Sequence, residues 1–206
     1  MNPDIPPTFG IKDYLTRKNE RIARVGEYLT NNLLNNDLLK NREIILEIGC
    51  GHGHWLSSFA SLNQDKLFLG IDLITKRIEK CNKKKHSLGL TNLFFIKAEA
   101  LEFLSAFPKE LQIQSTFFMF PDPWPKKRHF KNRLIQHHLL HELAHCSTSK
   151  SKIYFRSDHF GYFNWTLEIL ECNENWQVID EEWPHESGSF FQDLFDNSYT
   201  CTAQIS

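Results

Sequence analysis

A chain of 206 residues with 41% apolar and 13% aromatic side chains is long enough for one domain with a substantial core and too apolar for global disorder. No window approaches the roughly 18 apolar residues of a bilayer span, and MNPDIPPTFGIKDY lacks a charged start followed by an apolar stretch, so a soluble cytoplasmic protein is expected. The net charge of −1 hides a division: 24 Lys or Arg against 15 Asp or Glu lie in residues 1–156, and no Lys or Arg against ten acids in residues 157–206, so one part of the surface attracts a polyanion while another repels it.

Taken in chain order, Ile11 to Lys40 is polar and helix-permissive, with Ile22, Val25, Leu29, Leu33 and Leu34 at helical spacing and breaks at Asn31-Asn32 and Asn35-Asn36. This predicts a helical extension, residues 1–40, packed on a main domain, residues 41–206. Glu43 to Ile48 reads as a buried strand ended by Gly49, Gly51 and Gly53, and His54 to Leu62 as a helix. Lys66 to Ile71 is a second strand ending at Asp72; Thr75 can cap a helix to about Leu88, stopped by Gly89; Leu93 to Lys97 is a third strand, and Glu99 to Phe107 a short helix ended at Pro108. Ser115 to Phe120 is the fourth strand. Arg133 to Cys146 is predicted helical, Lys152 to Ser157 a fifth strand, Asp158 to Glu174 a helix, and Trp176 to Ile179 and Tyr199 to Ile205 two final strands. Strands alternating with helices over short connections predict an α/β fold, doubly wound and Rossmann-like, with a mostly parallel seven-stranded sheet and helices on both faces. Ligands of such sheets sit at the carboxyl ends of the strands, where Asp72, Asp122 and Asp158 would share a rim.

The segment Glu47-Ile-Gly49-Cys-Gly51-His-Gly53 sets three glycines on alternate residues after a buried strand, where tight turning and close ligand approach favour residues without a β-carbon. Its pattern is G-x-G-x-G, without the later third glycine that dinucleotide folds use for helix packing beside a pyrophosphate, so a phosphate-free nucleoside fits better. Asp72, 23 residues beyond Gly49 at the end of the next strand, can accept hydrogen bonds from both ribose hydroxyls. These features resemble the class I S-adenosylmethionine-dependent methyltransferases. The resemblance implies that the glycine loop lies along the methionine part of the cofactor, that Glu47 organises the turn and faces that part, and that Asp72 holds the ribose. Glu99 sits where an adenine-side carboxylate is expected, although a helix N-cap explains the same residue.

Directly after the fourth strand comes PDPWPKKRHFKNR, Pro121 to Arg133. Prolines at 121, 123 and 125 fix φ and remove three backbone donors, so the loop must leave the sheet as a stiff turn that holds Asp122. Lys126, Lys127, Arg128, Lys131 and Arg133, with no acid among them, suit phosphates, so an acid that reads a base stands beside cations that hold a backbone. Lys76, Arg77, Lys80, Lys83, Lys84 and Lys85 form a second stripe that reads either as further phosphate contacts or as a solvated helix face. Trp124 can shape a pocket, stack on a base or pack internally.

Together, EIGCGHG, PDPWPKKRHFKNRL and Ser157-Asp158 with Tyr162 resemble the bacterial tRNA (guanine-N7)-methyltransferase family from about Ile44 to Tyr162. The resemblance implies methyl transfer from S-adenosylmethionine to N7 of a tRNA guanine, at position 46 of the variable loop. It places Asp122 at the catalytic site and against the cofactor, and Lys126 and Asp158 on the substrate. A C-terminal T-x-F-E stretch of that family has its nearest counterpart in Ser189-Phe-Phe-Gln192, which makes Ser189 and Gln192 neutral candidates for substrate contact.

Other chemistries fit less well. Cysteines at 50, 81, 146, 172 and 201 form no C-x-x-C pair, and His137, His141 and His145 on one helix face lack companion ligands, so neither a disulfide framework nor a metal site is expected. No G-x-S-x-G elbow supports a serine hydrolase. The rival readings are a methyltransferase for another substrate and an RNA-binding module of the same fold without turnover. The expected partner is tRNA, with the protein a monomer or homodimer away from membranes.

Overall fold

The computed structural model describes residues 8–185 and 198–206. Its regular elements are α1 (Thr8–Leu29), β1 (Ile44–Ile48), α2 (His54–Leu62), β2 (Leu67–Asp72), α3 (Thr75–Ser87), β3 (Leu93–Lys97), α4 (Ala100–Ala106), β4 (Ile113–Met119), α5 (His137–His145), β5 (Ser147–Ser157), α6 (Phe160–Glu171), β6 (Trp176–Ile179) and β7 (Tyr199–Ile205). The strands form one seven-stranded sheet in the order β3-β2-β1-β4-β5-β7-β6. Neighbours from β3 to β5 run parallel, and β7 is antiparallel to both β5 and β6.

The residues of β1 and β2 are all buried, the pattern of parallel strands covered on both faces. Period-two alternation sends Ile44, Leu46 and Ile48 into a core with Leu29 of α1, Phe103 of α4, Leu140 of α5 and Tyr162 of α6. Ile45, Phe68, Phe95, Phe117 and Tyr154 face the other way, against Trp55, Leu56 and Phe59 of α2 and Ile78 of α3. By the same alternation Glu47 shares this second face with Ile45. Leu29 and Leu33 are 0% and 2% exposed, which fastens the N-terminal helical segment to the first core.

Several boundaries differ from those expected. Helical winding does not end at Asn31-Asn32: α1 passes into a wider π turn, Thr30–Leu34, where Asn32 Nδ2 donates to the Tyr28 carbonyl, and the break comes at Asn35. Thr75 is the first helical residue of α3 and not its cap; Ile74 holds the extended cap position, and its N–H donates to Asp72 Oδ1 at 2.8 Å. The helix expected from Arg133 starts only at His137. Lys127–Asn132 winds as a 3₁₀ turn, and Ile135 N–H donates to the Tyr162 hydroxyl, so tertiary bonds hold 133–136 out of the helix. β5 begins at Ser147, ahead of the expected Lys152, because a register shift opposite Ile113 is bridged by Ser151 Oγ, which donates to the Ile113 carbonyl at 2.9 Å. α6 begins at Phe160, two residues beyond Asp158.

Candidate active site

At the carboxyl end of β1 the chain turns sharply. Gly49 and Cys50 N–H groups both donate to the Ile71 carbonyl of β2 at 2.9 Å, and Gly53 N–H donates to the Cys50 carbonyl. Gly49, Gly51 and Gly53 have φ of +82°, +55° and +62°, a left-handed run that side chains disfavour. Their roles divide. A Cβ on Gly53 would fall 2.5 Å from Phe95 Cζ, so this glycine lets α2 close on the sheet, whereas a Cβ on Gly49 or Gly51 would meet nothing within 4 Å. Beside this cradle, Glu47 is 4% exposed and its Oε2 is buried without a hydrogen-bond partner. Burial first, then the neighbouring Cys81 and Asp72, pushes its carboxyl well above the ordinary glutamate range. A buried acceptor beside an open glycine cradle suits a ligand that brings its own donor or positive charge. The fit to an amino-acid-bearing nucleoside is therefore good.

Asp72, 6% exposed at the end of β2, binds the cradle from the side. Its Oδ2 accepts from Gly51 N–H at 3.1 Å and from Arg77 at 3.3 Å. Lys84 Nζ reaches the His52 carbonyl at 2.8 Å, which ties α3 to the same loop. One strand over, Glu99 caps α4, its Oε2 accepting from Glu102 N–H at 3.0 Å. Glu102 itself is buried and receives Arg21 of α1 through two hydrogen bonds of 2.8 and 2.6 Å. A cavity of about 650 Å³ lies here, bordered by Tyr14 and Tyr28 of α1, Leu73, Ala98 and Glu99.

On the other side of β1, β4 ends at Met119 and delivers the proline loop. Phe120 and Trp124 hold φ of +49° and +44°, left-handed conformations at both ends of Pro121-Asp122-Pro123. For aromatic side chains ahead of proline these are strained, at a cost of about 1–3 kcal/mol each, and such strain concentrates at functional loops. Asp122 is exposed, as are Lys126, Lys127, Arg128 and Lys131. From β5, Asp158 is exposed immediately after the buried Ser157, whose Oγ accepts from His159 N–H at 3.1 Å. His159 Nδ1 accepts from Tyr162 N–H at 3.1 Å and so caps α6. Tyr162 is fully buried, and burial pushes its hydroxyl up to about 12.

A family model described as "Putative methyltransferase" matches residues 41–192. The chain is 31% identical to the tRNA (guanine-N(7)-)-methyltransferase of Mycoplasmopsis pulmonis (strain UAB CTIP), across 88% of this chain and 89% of that protein. This chain belongs to the tRNA (guanine-N7)-methyltransferase family. The protein of that name from Mycoplasma genitalium is 34% identical over 68% of this chain, a match spanning 66% of that relative's length. Among solved structures, the aminoglycoside resistance methyltransferase NpmB1 superposes with a TM-score of 0.56 over 91% of each chain at 16% identity, which supports the Rossmann-like fold.

Within this family member, Glu47, Gly49, Gly51, Gly53, Asp72 and Glu99 come together at the ends of β1, β2 and β3. Asp122, Lys126 and Asp158 gather at the ends of β4 and β5, and the two groups meet where β1, which carries the cradle, neighbours β4. Ser189 and Gln192 lie outside the described residues. Two expectations about phosphate contacts are corrected. Arg133 is 3% exposed and folded over the rings of Phe130, Tyr162 and Trp165, so it is not presented at the surface. Of the α3 stripe, Arg77 is bound to Asp72, Lys84 to His52, and Lys85 lies over Phe94 at 4.1 Å, leaving Lys76, Lys80 and Lys83 outward. The Arg21–Glu102 pair and the His159 cap carried no sequence signal beyond an acid three residues after Glu99 and a histidine ahead of a helix.

Proposed function

We propose that this protein transfers a methyl group from S-adenosylmethionine to N7 of a guanine in tRNA, at position 46 of the variable loop. The observation that carries the reading is the juxtaposition, at the ends of the neighbouring strands β1 and β4, of a glycine cradle with an unpartnered buried carboxyl oxygen and a strained proline loop presenting Asp122 beside exposed cations. Glu47 and the cradle at Gly49 and Gly51 would hold the methionine part of the cofactor, Asp72 the ribose, and Glu99 the adenine side. S-adenosylmethionine supplies an electrophilic methyl on a sulfonium. Guanine N7 carries a lone pair and no proton, so no general base is needed and positioning provides most of the catalysis. Asp122 and Asp158 are suited to accept from the base's N1 and exocyclic amine protons, to reject adenine, and to stabilise the positive charge that develops on the ring. Lys126 and its neighbours would grip phosphates.

The direct test is incubation of the protein with labelled S-adenosylmethionine and unmodified tRNA, followed by borohydride and aniline cleavage at 7-methylguanine. Cleavage at one variable-loop guanine is expected. Binding of tRNA with no label transferred would favour the RNA-binding module instead, and transfer elsewhere would name another substrate. Asp122→Ala and Asp158→Ala should each lower turnover at least about a hundredfold with the fold intact, the scale of losing one preorganised site group. Near-normal turnover of both variants removes the assignment.

A further inference from the structure

Arg133 is a permanent charge in an unusual setting. It is 3% exposed, and among the described residues it has no acidic ion-pair partner. Two carbonyls and three rings receive it. Nε donates to the Pro123 carbonyl at 3.0 Å and Nη1 to the Gly161 carbonyl at 3.4 Å. The guanidinium carbon stands 3.7 Å from the centre of Phe130, 5.0 Å from Tyr162 and 5.2 Å from Trp165. Burying a cation without a carboxylate costs more than filling the same space with an apolar side chain, so packing alone does not account for this residue.

What the two carbonyls belong to does account for it. Pro123 directly follows Asp122, and Gly161 lies three residues beyond Asp158. Among the described residues, the Arg133 contact is the sole hydrogen bond made by the stretch 121–125, although Phe120 and Trp124 hold that stretch in strained backbone. Arg133 also anchors its own turn: its N–H donates to the Phe130 carbonyl and its carbonyl accepts from Gln136 Nε2. We propose that Arg133 is a positioning residue, a clamp whose guanidinium fixes the Asp122 loop to the Asp158 segment so that the two acids grip one guanine in a set geometry. The planar fork is essential to it, since a lysine ammonium can neither point two donors at separate carbonyls in one plane nor stack within the ring box. The clamp's consequence for turnover rests on the methyltransferase reading; its mechanical claim does not.

The experiment compares the full-length wild type with Arg133→Lys and Arg133→Met. Hydrogen exchange of the backbone amides at 124, 126–132 and 158–161 is read together with kcat, KM for tRNA and KM for S-adenosylmethionine. In Arg133→Lys, exchange should rise in both segments at once while β1 to β3 keep their protection. kcat should fall about ten- to a hundredfold, the scale of a misplaced site group, with KM for S-adenosylmethionine within about twofold of wild type. A generally loosened protein would instead raise exchange throughout and lose affinity for both substrates; Arg133→Met, which keeps apolar packing against the rings but has neither donor, should show the same paired local rise. The proposal is overturned if Arg133→Lys leaves kcat unchanged, or if exchange rises in one segment without the other. A wild type that methylates no tRNA sinks the functional reading, and the exchange comparison then decides the clamp by itself.

Discussion

Glu47 shows how one residue's surroundings convert into a measurable dependence on pH. Its carboxyl is held well above 4.5, by burial first and then by Cys81 and Asp72. The folded protein therefore prefers the proton. Any stability tied to this group is fully present below the unfolded value near 4.5 and is lost as pH rises through the higher folded value. Glu47→Gln, which cannot ionise, should match the wild-type melting temperature at pH below 4.5 and exceed it by a margin that grows as pH rises from there toward the raised folded value. The same variant should bind S-adenosylmethionine more weakly, because the orphaned oxygen is the acceptor offered to the ligand. Calorimetric melting across that pH range checks the first half and titration calorimetry the second; parallel melting curves at every pH would contradict the burial argument.

At the scale of elements, what was legible in the sequence is what local chemistry controls. β1, α2, β3 and the two last strands follow hydropathy period and glycine or proline punctuation, and the glycine cradle was visible because three glycines after an apolar run have few other uses. Arg133 was not legible as buried, since a cation in a cationic run looks solvated until Phe130, Tyr162 and Trp165 are brought around it by the fold. The late start of α5 has the same origin. Attachment of α1 was only half legible: its apolar spacing foretold Val25, Leu29 and Leu33 in the core, but not the pairing of Arg21 with Glu102 of α4. The Arg21 hydrogen bonds hold Glu102 below the ordinary glutamate range, so this pair stabilises above that range and its contribution disappears as pH falls through the lowered folded value. Arg21→Ala should lower the melting temperature by a few degrees at pH 7 and by progressively less as pH falls through the lowered folded value, below which Glu102 is protonated in both states. An equal loss at both pH values would mean that Arg21 acts through its aliphatic stem and not its charge.

At the scale of the whole molecule, the charge division acquires a direction. The outward cations of the proline loop, Lys126, Lys127, Arg128 and Lys131, cluster at one end of the sheet beside Asp122, while the acids of residues 180–182 follow β6, with Glu181 paired to Lys152 of β5. The exposed Asp180 and Glu182 offer a polyanion no attraction, so the proline-loop cations are the favoured place of approach. Counterion release makes this countable: each phosphate neutralised contributes about 0.7–0.9 to the slope of log affinity against log salt. Lys126→Gln, Lys127→Gln and Lys131→Gln, measured singly for tRNA binding between low and physiological salt, should each shallow the slope by about that amount and weaken binding without changing KM for S-adenosylmethionine. Arg133→Met should leave the slope unaltered, because a guanidinium enclosed by three rings and two carbonyls releases no counterions. If its slope falls like those of the lysines, Arg133 reaches phosphate in the complex, the ring box opens on binding, and the fixed geometry between Asp122 and Asp158 has to be rebuilt around the RNA.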